Sequence, residues 1–163
     1  MLSWNTLCDS LVIANRAAYS QAPLQHLMWA VRWPRMAKQL ASARADVFAL
    51  QEVDPARWQD FLEAMAPHGY AGVLQSRKKD SLLSFSLAFL YNTERVRLLW
   101  EDPRSRTHIA AFQQLHGSQR VRVVCSVLAV LGCCSRCVLA CVITHAGGVH
   151  GQLPSGGQPV PSS

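Results

Sequence analysis

The sequence predicts an α/β fold in which sheets are covered by helices, and three observations carry that expectation. Val47-Phe48-Ala49-Leu50 is an unbroken apolar run ending in Gln51-Glu52, the pattern of a strand covered on both faces. Helical and strand patterns alternate over the first half of the chain, as in βαβ units. Beyond Tyr70 strand patterns dominate.

The opening residues through Leu7 read as a strand, and Leu11 to Tyr19 as a helix or irregular connection. From Pro23, the residues Leu27, Met28, Val31, Met36 and Leu40 recur at helical intervals, interrupted at Trp33-Pro34. Pro34 is expected to open a helix over about Pro34 to Ser42, where its missing N–H costs nothing. The Val47 to Leu50 strand follows. Asp54-Pro55 then makes a helix start, with Asp54 as N-cap, and Trp58, Phe61, Leu62 and Met65 form its buried stripe. Pro67-His68-Gly69 ends it. Strands are expected at Tyr70 to Gln75, Leu87 to Tyr91, Val96 to Trp100, Ile109 to Leu115 and Gln119 to Val127. Asn92-Thr93-Glu94 and His116-Gly117-Ser118 serve as turns.

Half of the 163 residues are apolar and 16% are charged, enough for one domain with a core. Sixteen Lys and Arg against ten acids give a formal charge of +6, which favours phosphate-rich partners. No secretory leader is visible, so the six cysteines read as reduced thiols of an intracellular protein, cytoplasmic or nuclear. Cys133, Cys134, Cys137 and Cys141 lack the second ligand pair that a zinc site requires. The five tryptophans read as core or packing residues more than as base-stacking platforms. His26, His68, His108 and His116 show no ligand spacing. Val123 to Ile143 is long enough to span a bilayer, which leaves a small membrane-anchored protein as a minority reading against Arg136 inside the run.

Two short segments carry the chemistry. Ser3-Trp4-Asn5-Thr6-Leu7 and Asp46-Val47-Phe48-Ala49-Leu50-Gln51-Glu52-Val53-Asp54 each read as a buried strand with a polar group at its carboxyl end. That end is where open α/β sheets bind ligands. A carboxylate there beside an amide suits Mg²⁺, a hard cation that keeps water and substrate phosphate in its shell.

With Trp33-Pro34-Arg35 and His68-Gly69-Tyr70-Ala71-Gly72, these segments lie in the order and spacing found in a known family. The chain from Leu2 to about Arg97 resembles the endonuclease/exonuclease/phosphatase superfamily, within it the branch of carbon-catabolite-repression-type deadenylases, nocturnin and the angel proteins. The resemblance implies a four-layer α/β sandwich, of which this chain represents the incomplete N-terminal half. It implies Mg²⁺-dependent phosphoester hydrolysis, with a 3′–5′ exoribonuclease acting on poly(A) as the favoured activity and a dinucleotide phosphatase as a related possibility. Glu52 is the implied metal-binding carboxylate, and Asn5 a metal ligand or catalytic orienter beside it. Thr144-His145 matches the expected Thr-His pair, which makes His145 a catalytic candidate. Arg77, Lys78, Asp80 and Asn92 fall near the expected substrate side. The family's Gly-Asp-Phe-Asn and Ser-Asp-His segments are absent from the sequence, so the chain is expected to be truncated and inactive. The alternative is a non-catalytic RNA-binding or regulatory fragment. The expected organisation is a partial domain over residues 1–126, an atypical Cys-rich apolar segment over 127–146 and a disordered tail over 147–163.

Overall fold

In a computed structural model, residues 1–76, 85–104, 106–116, 121–128 and 139–145 are described, the last two stretches as backbone only. Strand β1 (Leu2–Asn5) leads into helices α1 (Asp9–Ala14) and α2 (Leu24–Leu27), the long helix α3 (Trp29–Ala43), and strand β2 (Val47–Val53). Helix α4 (Trp58–Met65) precedes strands β3 (Tyr70–Leu74) and β4 (Ser86–Asn92). Strands β5 (Val96–Pro103), β6 (Thr107–Gln114), β7 (Val121–Leu128) and β8 (Leu139–His145) follow. Two four-stranded sheets result, ordered β1-β2-β4-β3 and β5-β6-β7-β8. β1 and β2 run parallel, and every other pairing is antiparallel.

Strand alternation builds two cores. Phe48, Leu50, Ala88 and Leu90 point outward and pack under Met36 and Leu40 of α3 and Phe61 and Met65 of α4. Val47, Ala49, Leu87 and Phe89 face the second sheet, meeting Val96, Ala110 and Phe112. The described residues therefore form helix, sheet and sheet layers, three of the four expected, and β2 is covered on both faces as its composition required.

Helix α3 corrects one expectation, because it begins at Trp29 and carries Pro34 inside rather than at its start. Proline there removes the bond to Ala30's carbonyl, yet the turn before it is held by side chains. Trp29 stacks on Trp33 at 5.1 Å between centroids, and both rings abut Phe61. The Trp29 indole N–H also donates to Asp60 at 2.7 Å. Asp54 caps as anticipated, accepting from the Ala56 N–H at 2.9 Å, although the first turn is a 3₁₀ helix over Pro55–Arg57.

Gln75 joins the two sheets at the end where β2 terminates. Its side-chain carbonyl accepts from the Leu87 N–H at 3.2 Å, while its Nε2 donates to the carbonyls of Arg104 and Thr107. At the other end, Arg95 bridges to Asp46 Oδ1 at 3.0 Å and to the Arg44 carbonyl at 3.1 Å. The described residues of the run read as a membrane span belong to the paired strands β7 and β8. No helix among the described residues is long and apolar enough to cross a membrane. Residues 147–163 lie outside the described residues.

Candidate metal centre

The parallel register of β1 on β2 sets Asn5 opposite Gln51 and brings the strand tips level. One residue later the alternation of β2 breaks. Leu50 pairs with Ala88 but Val53 pairs with Ser86, so β2 holds one extra residue, a bulge. Glu52 takes it up in a left-handed conformation with φ +53°. Val53 thereby returns to the outer core, and the Glu52 side chain escapes to a half-exposed position at the sheet's edge.

Asn5 Nδ2 donates to Glu52 Oε1 at 2.7 Å, while its Oδ1 accepts the Leu7 N–H at 2.9 Å. The amide thus orients the carboxylate. Leu7 is itself left-handed, with φ +57°. Each such non-glycine residue costs about 1–3 kcal/mol, and such outliers cluster at ligand sites because surrounding structure holds them. The holding contacts are visible. The Thr6 hydroxyl lies 3.0 Å from both the Gln51 and Glu52 carbonyls, and its N–H donates to the Gln51 carbonyl at 2.8 Å. Arg32 reaches over from α3 to donate to the carbonyls of Thr6 at 2.8 Å and Leu7 at 3.0 Å, and pairs with Asp9. Below them the Gln51 side-chain amide donates to Ser3 Oγ and the Ala49 carbonyl, both at 2.9 Å.

The donor set is one oriented carboxylate with an amide behind it. Among the described residues no cluster of three or more His, Cys, Asp or Glu side chains forms a metal cage. One oriented carboxylate is a donor that suits Mg²⁺, which binds through one or two carboxylates and leaves positions for water and phosphate.

The other candidates are dispersed. Asn92 sits at the opposite end of the sheet, where its N–H donates to the Asp46 carbonyl at the foot of β2. Its Oδ1 accepts from the N–H groups of Glu94 and Arg95, each at 3.1 Å, which makes it the buried cap of the β4–β5 turn. His145 pairs with Val121 at the end of the second sheet where β5 starts and β6 ends. That is the Asn92 end, so the strand register does not bring His145 to Glu52. Arg77, Lys78 and Asp80 lie outside the described residues. The contributions of Thr6 and Arg32 escaped the sequence reading. Thr6 follows Asn5 directly and could have been weighed with it, whereas Arg32 is brought 26 residues back along the chain by tertiary structure alone.

No protein-family model matches the chain. Among curated proteins it is 28% identical over 110 residues to the CCR4-Not complex 3′–5′ exoribonuclease subunit Ccr4 of Candida glabrata, covering 63% of this chain and 12% of that protein. It is 37% identical over 78 residues to the Aspergillus fumigatus protein of the same name, covering 47% and 11%. With carbon catabolite repressor protein 4 homolog 6 of Arabidopsis thaliana it shares 30% over 103 residues, covering 63% and 13%. The chain thus spans little more than a tenth of these relatives' length.

Among solved structures, ANGEL2, described as a 2′,3′-cyclic phosphatase, superposes with a TM-score of 0.61 at 20% identity over 69% of this chain and 36% of that one. The human nocturnin catalytic domain gives 0.51 at 17%, over 69% and 42%. An endonuclease/exonuclease/phosphatase protein from Bacteroides vulgatus gives 0.52 at 16%, over 69% and 45%. At these identities the structures establish the fold alone. By fold and by sequence together, this chain is similar to the Ccr4-type deadenylases, nocturnin and the angel proteins, and it has part of the fold of the endonuclease/exonuclease/phosphatase proteins.

Proposed function

We propose that the Asn5–Glu52 pair is the cation-holding part of a Mg²⁺-dependent phosphoester hydrolase centre whose substrate is RNA, shortened from its 3′ end. One observation carries the proposal: a carboxylate held by a 2.7 Å amide bond at the carboxyl tips of two parallel strands, on a backbone strained into place. The Ccr4-type relatives, named as 3′–5′ exoribonuclease subunits, support RNA as substrate. When bound, Mg²⁺ supplies charge stabilisation at the phosphoryl oxygens. Glu52 would hold the cation through its carboxylate. Asn5 keeps that carboxylate from rotating, and Arg32 and Thr6 keep the loop carrying Asn5 in register.

Turnover also needs groups that position the attacking water and protonate the leaving oxygen. The Gly-Asp-Phe-Asn and Ser-Asp-His segments that would supply them are absent from the sequence, so this chain alone is expected to bind the ion without hydrolysing oligoadenylate. Calorimetric titration with Mg²⁺ tests the site, since Glu52→Gln keeps an acceptor for Asn5 but removes the charge and should abolish the binding heat. Equal binding by the variant would refute the assignment. Progressive shortening of labelled oligoadenylate by the purified chain would refute the expected inactivity.

A further inference from the structure

Helix α3 starts beside the Asn5–Glu52 site, where Arg32 holds the Thr6 and Leu7 carbonyls, and runs from there toward the opposite end of the sheet, ending before Asp46. Its fifteen residues include Arg32, Arg35 and Lys38 and no carboxylate. With Gln39 and Ser42, Arg35 and Lys38 line an open depression on its exposed face. Lys38 and Ser42 also line a groove between α3 and α4, together with Arg44 and His68. Among the described residues, neither surface has an acidic lining residue. The carboxylates of α4 lie elsewhere and are engaged, Asp60 by the Trp29 indole and Glu63 by the Gln59 amide. No ion pair among the described residues involves Arg35, Lys38 or Arg44. These cations stand without the carboxylate partners that occupy Arg32, Arg95 and Arg104.

We infer that this track, from Arg35 through Lys38 to Arg44, binds the sugar–phosphate backbone of a single-stranded RNA without reading its sequence, outside the metal centre. The lining chemistry selects that ligand. Arg, Lys, Gln and Ser side chains are the usual donors to phosphate oxygens, whereas base recognition needs edges or aromatic platforms. Among the described residues, no aromatic ring but the His68 imidazole lines the track; the tryptophans of α3 and α4 are turned into the core. Lys38 follows Arg35 by about 4.5 Å along the axis and the helix ends at Ala43 about 12 Å from Arg35, at 1.5 Å per residue, with Arg44 directly after it. Several successive phosphates of an extended strand can therefore be met. The inference rests on the RNA reading above, because the bound strand is the substrate of that centre.

The test is fluorescence anisotropy of a fluorescein-labelled twelve-residue oligoadenylate against the full chain in EDTA, repeated across salt concentrations. Without a divalent ion the metal centre contributes nothing, so failure here is distinguishable from failure of the Mg²⁺ titration. Each phosphate contact contributes about 0.7 to the slope of log K on log salt for a single strand. Arg35→Ala/Lys38→Ala, exposed positions, should lower the slope by about 1.4 with an unchanged melting curve. Arg97→Ala/Arg104→Ala on the second sheet should leave it unchanged. An unaltered slope in the first variant, an equal fall in both, or no binding by the wild-type chain overturns the inference. So does tighter binding of labelled oligoglutamate than of oligoadenylate, which would make the track a surface for an acidic peptide.

Discussion

Replacing Glu52 by glycine and, separately, by alanine isolates the cost of holding a carboxylate at this strand tip. Both variants lose the Asn5 bond and the charge, so the difference between them reports only the backbone at φ +53°. In an ordinary strand glycine is less stable than alanine by about 0.5–1 kcal/mol, because the unfolded chain has more freedom to lose. A left-handed alanine pays about 1–2 kcal/mol that glycine does not. Here the order should reverse, with the glycine variant about 1 kcal/mol more stable than the alanine variant. For a chain of this size that is about 2–4 °C in melting temperature, read by circular dichroism. Mg²⁺ gives the complementary readout. At ten times its dissociation constant a ligand stabilises the wild type by about 1.4 kcal/mol, and neither variant should respond. An alanine variant as stable as the glycine one would mean that Glu52 relaxes out of the left-handed region, and the argument from strain to ligand site would fail.

Arg32→Met should cost about 2–4 kcal/mol in denaturant unfolding, since it leaves the Thr6 and Leu7 carbonyls and Asp9 without their charged donor at a side chain only 12% exposed. Its Mg²⁺ affinity should fall as well, and an unchanged affinity would refute the clamp's role at Asn5. A Cβ on Gly72 would sit 2.7–2.8 Å from the Trp58 ring and Leu90. Gly72→Ala should therefore destabilise by about 1–3 kcal/mol, with part of the loss recovered when Trp58→Leu opens space. Burial, and secondarily Asp46, raises the Tyr70 pKa above 10; burial and Glu101 do the same for Tyr91. The neutral phenols are thus favoured in the folded chain, so their contribution is complete below pH 10 and is lost as pH rises through the folded values. Tyr70→Phe should flatten that alkaline decline, at the expense near neutrality of about 1 kcal/mol for its bond to the Ala45 carbonyl. A decline as steep as the wild type's would refute it.

What could be foreseen divides along physical lines. The apolar run of β2 and the stripe of α4 follow from local periodicity, and both formed where the pattern put them. The meeting of Asn5 with Glu52 was legible because each ends its own strand and parallel pairing levels the tips. Pro34 misled because a local rule favours proline at a helix start, while the stacked Trp29 and Trp33 rings that extend α3 backward act through tertiary contact. Asn92 looked like a loop residue near substrate; its turn was foreseen, but the direction of β4 sets that turn at the far end. His108 offered no signal at all, yet it is fully buried with Nε2 2.7 Å from Glu101 Oε2, in contact with Phe89 and with Nδ1 unpartnered among the described residues. Only sheet stacking produces that environment.

Gln75 has a mechanical consequence. One buried amide bridges β4 of the first sheet and the β5–β6 connection of the second, on the rim where Glu52 emerges, so the gap between the sheets there is spanned by a side chain of fixed length. The sandwich is fastened at its working edge by a rivet rather than a hinge. Shortening it by a single methylene, as in Gln75→Asn, should let that edge gape or slide while the Arg95–Asp46 end stays closed, an asymmetry that amide hydrogen exchange would report as faster opening of β3 and the start of β4 alone.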